Sequence, residues 1–300
     1  MTGARVPRVV LVTRPSDLDR LVARHGTRAQ AQFFLSTRGQ TIAEVDARHA
    51  AFERAVATTL RAIPAPWRRN RIDRGDLDRF LFEPDDIVVA LGQDGLVANV
   101  AKYLSGQPVV GLNPAPQLYE GVLVPHPPEA AQELLQTAAA GKGTYQERAM
   151  VEALIDDGQR LVALNEVFVG NRTHQSARYR LTWGDANERH SSSGLIVATG
   201  TGATGWARSI HRERSIELTL PGPTSGDLVL FVREAWPSVA TGTSLTQAMV
   251  PAGSVVEVVS EMDDDGVIFG DGIEADRIEF SWGRRVTLRA AATRLRLLVG

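Results

Sequence analysis

Three short runs of branched apolar residues set the terms for the first part of this chain. Val9-Val10-Leu11-Val12, Ile87-Val88-Val89-Ala90-Leu91 and Val109-Val110-Gly111-Leu112 carry no alternating polar residues. A strand of that kind is buried on both faces, the condition of a parallel sheet covered by helices. Helical stretches separate the runs. Ser16 and Asp17 supply caps for a helix through about Arg24; a second is expected from Ile42 to Arg61, ahead of Pro64 and Pro66; a third runs from Leu96 to about Leu104. Residues 1–125 are therefore expected to form an N-terminal α/β domain with a doubly wound parallel sheet.

The pattern changes near Pro125–Pro128. One more helix, about Glu129 to Ala139, crosses over, and from Thr144 onward strands and turns dominate. Asp156-Asp157-Gly158-Gln159 and Trp183-Gly184-Asp185-Ala186-Asn187 read as hairpin turns. Strands are expected at Leu195–Ala198, Leu228–Val232, Val255–Val259, Val267–Phe269 and Val286–Leu288. Residues 126–290 are thus expected to be a β-rich C-terminal domain, with residues 291–300 returning a strand, Leu295–Val299, to the first. The ligand site is expected in the cleft between the two domains.

Composition removes several function classes. The 300 residues are 43% apolar, enough for two cores. There is no cysteine, which excludes disulfides, thiolate-held zinc, iron–sulfur clusters and cysteine nucleophiles. A formal net charge of -2 argues against a dedicated nucleic-acid binder. The basic run Trp67 to Arg74 is read as a solvated face. No apolar run reaches the roughly 20 residues of a membrane helix, and the stretch before Arg14 is too short for a signal-peptide core. A soluble, cytoplasmic protein is expected, with neither nucleic acid nor membrane as partner. The histidines form no H-E-x-x-H pair, so no metal ligands are assignable, and no G-x-S-x-G elbow is present.

Three polar interruptions carry the chemistry. Gly92-Gln93-Asp94-Gly95 lies between the second strand and a helix. Glycines there permit close backbone approach to a ligand, and the helix start favours phosphate. Asp94 repels phosphate unless it takes a proton from a nucleophile or faces a metal, both tasks of phosphoryl transfer; a plain helix cap is the other reading. Asn165 and Glu166 interrupt the apolar run Leu161 to Val169. Neighbouring strand residues point to opposite faces, so the strand bends or ends there, or both groups bind something; a ribose diol would suit. Thr199 to Trp206 holds three glycines and three threonines. Gly200, Gly202 and Gly205 spell G-x-G-x-x-G, but this late, strand-rich setting is wrong for a dinucleotide βαβ unit, and Arg208 to Arg214 makes a poor amphipathic crossover helix.

In this order the three segments resemble the NAD kinase family, which has a GGDG turn, then an N-E pair, then T-P-T-G-S-T-A-Y. Ala163 to Gly170, Ser192-Ser193-Gly194, and Gly111 to Pro114 with Glu120-Gly121 look most similar to the mitochondrial-type branch and its bacterial relatives. The resemblance covers roughly residues 6 to 290. It implies an α/β domain followed by a β-rich one, and phosphorylation of the 2′-hydroxyl of the adenosine ribose of NAD. It also implies ATP or polyphosphate as donor, Mg²⁺ or another divalent metal, and a homodimer or higher homo-oligomer. By that resemblance the catalytic residue is Asp94, as the base or the nucleophile-orienting acid. Gly92, Gln93, Gly95 and Asn113 line the ATP phosphates. Asn165 and Glu166 hold ribose hydroxyls, and Thr199, Thr201, Gly202, Thr204, Gly205 and Trp206 surround the adenine end. Asp271-Gly272 resembles a late D-G near the nucleotide.

Departures from the pattern leave two alternatives open. Gln93 stands for a glycine and Leu96 for a threonine, so a side chain crowds the triphosphate or its amide donates to it. Gly200 and Gly205 stand for proline and alanine, and Trp206 for tyrosine, which keeps a stacking face. One alternative is an NAD(H)- or nucleotide-binding protein with little kinase activity. The other is a GGDG-type kinase with a lipid or sugar acceptor.

Overall fold

The computed structural model describes residues 6–118, 120–215 and 217–300. The chain divides into two compact units, one running to Tyr145 and taking in Arg296–Gly300, the other Gln146–Leu295.

In the first unit the three apolar runs become β1 (Arg8–Thr13), β3 (Asp86–Leu91) and β4 (Pro108–Leu112). They are joined by β2 (Arg68–Asp73), a C-terminal strand (Leu295–Leu298) and β5 (Tyr145–Arg148), in the order β2-β1-β3-β4-C-terminal strand-β5. The first five strands in that order pair in parallel. Helices α1 (Asp17–His25), α2 (Arg28–Ser36), α3 (Ile42–Ala62), α4 (Asp94–Ala101) and α5 (Ala131–Ala139) complete the unit. Val9, Leu11, Val89 and Leu91 pack with Ala55 and Val56 of α3 and Leu134 and Leu135 of α5. The sheet is the expected doubly wound one. β1 has β2 on one side and β3 on the other, so the order reverses there, and the crevice at the carboxyl ends of β1 and β3 is where such sheets receive ligands.

Three local expectations change. The basic run is not merely a solvated face: Arg68 to Asp73 is an edge strand paired with β1, and its arginines, being exposed, leave no apolar pattern. Helix α2, capped by Thr27, lies where no element was expected. The compact units divide after Tyr145 rather than at residue 125, because α5 packs on the first sheet.

The second unit is a sandwich. One sheet orders β10 (Ala186–Ser192), β9 (Ala177–Trp183), β14 (Val255–Ser260), β17 (Arg285–Ala290), β6 (Val151–Ile155) and β7 (Arg160–Ala163). The other orders β13 (Gln247–Val250), β12 (Leu228–Val232), β11 (Leu195–Ala198), β8 (Glu166–Asn171), β15 (Gly266–Gly270) and β16 (Ile273–Glu279). Val151, Ala153, Leu181, Val256 and Val258 of the first meet Val167, Val169, Val197 and Leu230 of the second. Helix α6 (Trp206–Arg214) covers part of the outer face, placing Ala207 and Ile210 against Phe168, Ile196 and Phe231. Arg208 to Arg214 is therefore helical after all, but it follows an antiparallel strand, so Gly200, Gly202 and Gly205 belong to no βαβ unit. The run Leu161 to Val169 does break: β7 ends at Ala163 in one sheet and β8 starts at Glu166 in the other.

Close approach at Gly111 ties the first sheet to the segment ending in His126. A Cβ there would lie 2.0 Å from the Leu123 carbonyl oxygen. Gly111→Ala is expected to cost about 1–3 kcal/mol in urea unfolding, the usual toll of overpacking. An unchanged midpoint would contradict this contact.

Candidate functional site

In the first unit the site forms where β3 ends. Gly92 donates its N–H to Leu112 O at 3.0 Å. Gln93 is the N-cap of α4, with φ -103 and ψ 167, and Asp94 is the first helical residue. That φ is ordinary for any side chain, so the backbone at 93 does not require glycine. Leu96 is buried, and its Cδ2 lies 3.1 Å from where a Cβ on Gly92 would sit, so this turn trades a hydroxyl for packing.

Asp94 does not cap its helix. Its Oδ1 accepts from Leu123 N at 2.8 Å and its Oδ2 from Val122 N at 3.0 Å. These two bonds fix the carboxylate plane and leave each oxygen a further lone pair. Gly121 makes the approach possible, with φ 71 and its ideal Cβ position 2.7 Å from Asn113 Nδ2. Asn113, expected at the donor phosphates, holds this loop: its Oδ1 accepts from Ala115 N at 3.0 Å and its N–H donates to His126 O at 2.7 Å. Gly95 is exposed at the helix start.

In the second unit the break between β7 and β8 is held from two sides. The Asp271 carboxylate accepts from Leu164 N at 3.0 Å and Asn165 N at 2.6 Å, while its own N–H donates to Glu166 O. Asp271 and Gly272 form the β15–β16 turn, both with positive φ (54 and 68). From the other side, Thr199 N donates to Asn165 O at 2.8 Å and Thr199 Oγ1 to Leu164 O at 2.6 Å. The Thr199 hydroxyl then accepts from Thr201 N and Gly202 N. Gly202 is needed for contact: a Cβ there would be 2.1 Å from Asn165 O.

The threonines expected around an adenine therefore divide. Thr199 and Thr201 are buried within the loop, and Thr201 Oγ1 accepts from Arg148 Nη1 at 3.4 Å. Thr204 and Gly205 are exposed, with Thr204 Oγ1 donating to Thr201 O. Trp206 stacks on Phe168 at 6.0 Å between centroids, with the Arg233 guanidinium 4.9 Å from its ring. Trp206, Phe168 and Phe269 line a cavity of about 190 Å³. Buried Arg148 had no sequence signal, since it is a lone arginine in a short strand.

Glu166 is the electrostatic centre of this unit. It is only 8% exposed, and burial, reinforced by the charge of Asp271, pushes its carboxyl up to about 7. A carboxyl poised near neutrality can accept from a ribose hydroxyl when ionised and donate when not.

No protein-family model matches the chain. It is similar to curated proteins, however. It is 28% identical over 127 residues to the NAD kinase of Chlorobaculum tepidum, a match covering 41% of this chain and 44% of that protein. It is 27% identical over 241 residues to NAD kinase 1 of Trichormus variabilis, covering 72% of each. Over these stretches the chain is thus similar in sequence to NAD kinases. Its fold also matches the crystal structure of an NAD kinase from Archaeoglobus fulgidus in complex with ATP, at a TM-score of 0.59 and 16% identity, over 98% of this chain and 93% of that one. The matched segment is thus under half of the Chlorobaculum protein's length and most of the Trichormus and Archaeoglobus ones.

The raised Glu166 pKa predicts a stability profile. The folded state holds this proton up to about 7, whereas the unfolded chain releases it near 4.5. The unfolded state therefore binds fewer protons between those values, and Glu166 costs stability as pH rises through that window. Glu166→Gln, which mimics the neutral form, should gain on wild type by up to about 3 kcal/mol between pH 4.5 and 8 in urea unfolding. Parallel profiles would show that Glu166 is not held near neutrality.

Proposed function

We propose that this protein is an NAD kinase, transferring the terminal phosphate of ATP to the 2′-hydroxyl of the adenosine ribose of NAD to give NADP. The observation that carries the reading is Asp94: an acid in a glycine turn at a helix start, its plane fixed by Val122 and Leu123 N–H. The ribose oxygen attacks the terminal phosphorus as the bond from that phosphorus to the bridging oxygen breaks. The hydroxyl proton passes to the Asp94 carboxylate, and ADP leaves with the bond's electrons. Asn165 and Glu166 hold the dinucleotide's ribose hydroxyls, and Asp271 and Thr199 keep that pair in place. Thr204 and Gly205 offer exposed contacts, and half-buried Trp206 offers a stacking face.

Among the described residues, no group of three or more His, Asp or Glu side chains is placed to hold a metal ion. The residues present do not fit a resident divalent metal, so magnesium enters with the donor as its substrate complex. Among those residues, no helix is long and apolar enough to cross a membrane. On the same reading the protein works in the cytoplasm as a homodimer or larger assembly.

The unstrained backbone at Gln93 removes one physical ground for an inactive dinucleotide binder. A lipid or sugar acceptor would leave Asn165, Glu166 and the Thr199–Trp206 loop without a task.

Asp94→Asn is expected to lower kcat for NADP formation by roughly 10²–10⁴-fold while KM for NAD stays within about threefold, because only the proton acceptor is lost. The measurement is NADP production from NAD and MgATP, followed with an NADP-specific dehydrogenase. A variant as fast as wild type would remove Asp94 from the chemistry.

A further inference from the structure

The cavity of about 190 Å³ beside α6 is lined by Phe168 of β8, Phe269 of β15 and Trp206 of α6. Its cations are Arg172, Arg233 and Arg277, and Glu274 is the carboxylate in its wall. We propose that this cavity is a second ligand site, separate from that of the dinucleotide, and that it takes a single-ring aromatic carboxylate. The ring lies against Phe168 and Phe269, and the acid group meets Arg233. Binding here does not rest on the kinase reading.

Two glycines make the aromatic floor. A Cβ on Gly170 would fall 2.4 Å from Phe168 Cζ, and one on Gly194 would fall 2.7 Å from the same atom. The Phe168 ring therefore lies down over both backbones rather than standing up from the sheet. Phe269 is its direct partner on β15, with ring centroids 4.8 Å apart. Trp206 stacks at 6.0 Å, its plane inclined by 15°. Three ring surfaces around one cavity suit a planar aromatic guest, which gains from offset and edge contacts beyond its buried area. Volume sets the size: the cavity is smaller than the about 300–1,000 Å³ of pockets for drug-sized ligands, so it takes one ring and not a dinucleotide.

Charge sets the acid group. Half-buried Arg233 holds its guanidinium 4.9 Å from the Trp206 ring, and its ion pair is with exposed Glu234 at 3.5 Å. Such a pair is weak, so a carboxylate can displace it, and the guanidinium fork matches a carboxylate. Arg172 and Arg277 are exposed, Arg172 paired with Asp265 and Arg277 donating to Glu274 O at 3.2 Å. The Glu274 carboxylate resists a dianionic phosphate more than a singly charged acid. Strand direction separates this site from the dinucleotide residues. β8 starts at Glu166 and ends at Asn171, about 17 Å on at 3.3–3.4 Å per residue, and Arg172 follows. β12 runs the same way, since both strands are antiparallel to β11, so Arg233 follows its far end as well. Trp206 is common to the cavity and to the Thr199–Trp206 loop, which gives an occupant here a route to act on dinucleotide binding.

Ligand-observed NMR with benzoate as the probe, and no dinucleotide present, tests this. Wild type should bind benzoate about tenfold or more tightly than benzamide, which lacks the charge, and than cyclohexanecarboxylate, which lacks the aromatic ring. Arg233→Gln and Phe269→Leu should each weaken benzoate about tenfold, with Arg233→Lys recovering part of the first loss. Thermal melts verify that each variant is folded. With NAD then added to saturation, benzoate should stay bound. No benzoate binding by wild type, wild-type affinity in both folded variants, or full displacement of benzoate by NAD would overturn the proposal. If benzoate binds as expected but no NADP forms from NAD and MgATP, the kinase reading fails and the second site stands.

Discussion

Each unit of this protein depends on a carboxylate that grips two adjacent backbone N–H groups. In the second unit Asp271 grips Leu164 and Asn165 at the point where one strand leaves its sheet and the next joins another. A chain crossing between sheets loses its ladder partners, and buried N–H groups without acceptors are costly. Asp271 supplies those acceptors from the β15–β16 turn, and the left-handed backbone there brings the side chain back to the break. That clasp places a negative charge beside Glu166, which adds to burial in holding its proton. In the first unit Asp94 grips Val122 and Leu123, and a loop far along the chain thereby orients the one acid in the glycine turn.

Glycines set how closely these parts approach. Gly202 lets the loop lie against Asn165, Gly111 lets β4 lie against Leu123, and Gly121 fits beneath Asn113. At each, a Cβ would fall within 3 Å of another atom, so the sequence spends glycine where backbone meets backbone or a buried amide. Gly95, where a Cβ would meet nothing within 4 Å, is different: its space is open to solvent. Gln93 shows the converse, since a side chain is tolerated at the second position of the turn because its φ is ordinary.

Much of the fold was legible because buried strands leave an unbroken apolar run, as at Val9–Val12, Ile87–Leu91 and Val109–Leu112. The break at Asn165-Glu166 was legible for the same reason, two polar residues in a run that should have had none. Arg68 to Asp73 was not recognised as a strand because an exposed edge needs no apolar face. The polar partners of Asp94 could not be read either: they are backbone groups 28 and 29 residues away, and any residue type can supply an N–H. The hydroxyls of Thr199 and Thr201 are a related case: sequence marked the loop, but not that both would be turned inward to build it.

The proposed reaction comes down to one chemical event, arrival of a donor's terminal phosphate on the ribose of a dinucleotide. The most direct measurement is transfer of the labelled γ-phosphate of MgATP by the purified protein when offered NAD, a simple sugar and a diacylglycerol in parallel. Label is expected in NADP alone, at the 2′ position. Label in the sugar or lipid, or release as inorganic phosphate with the dinucleotide unlabelled, would contradict it.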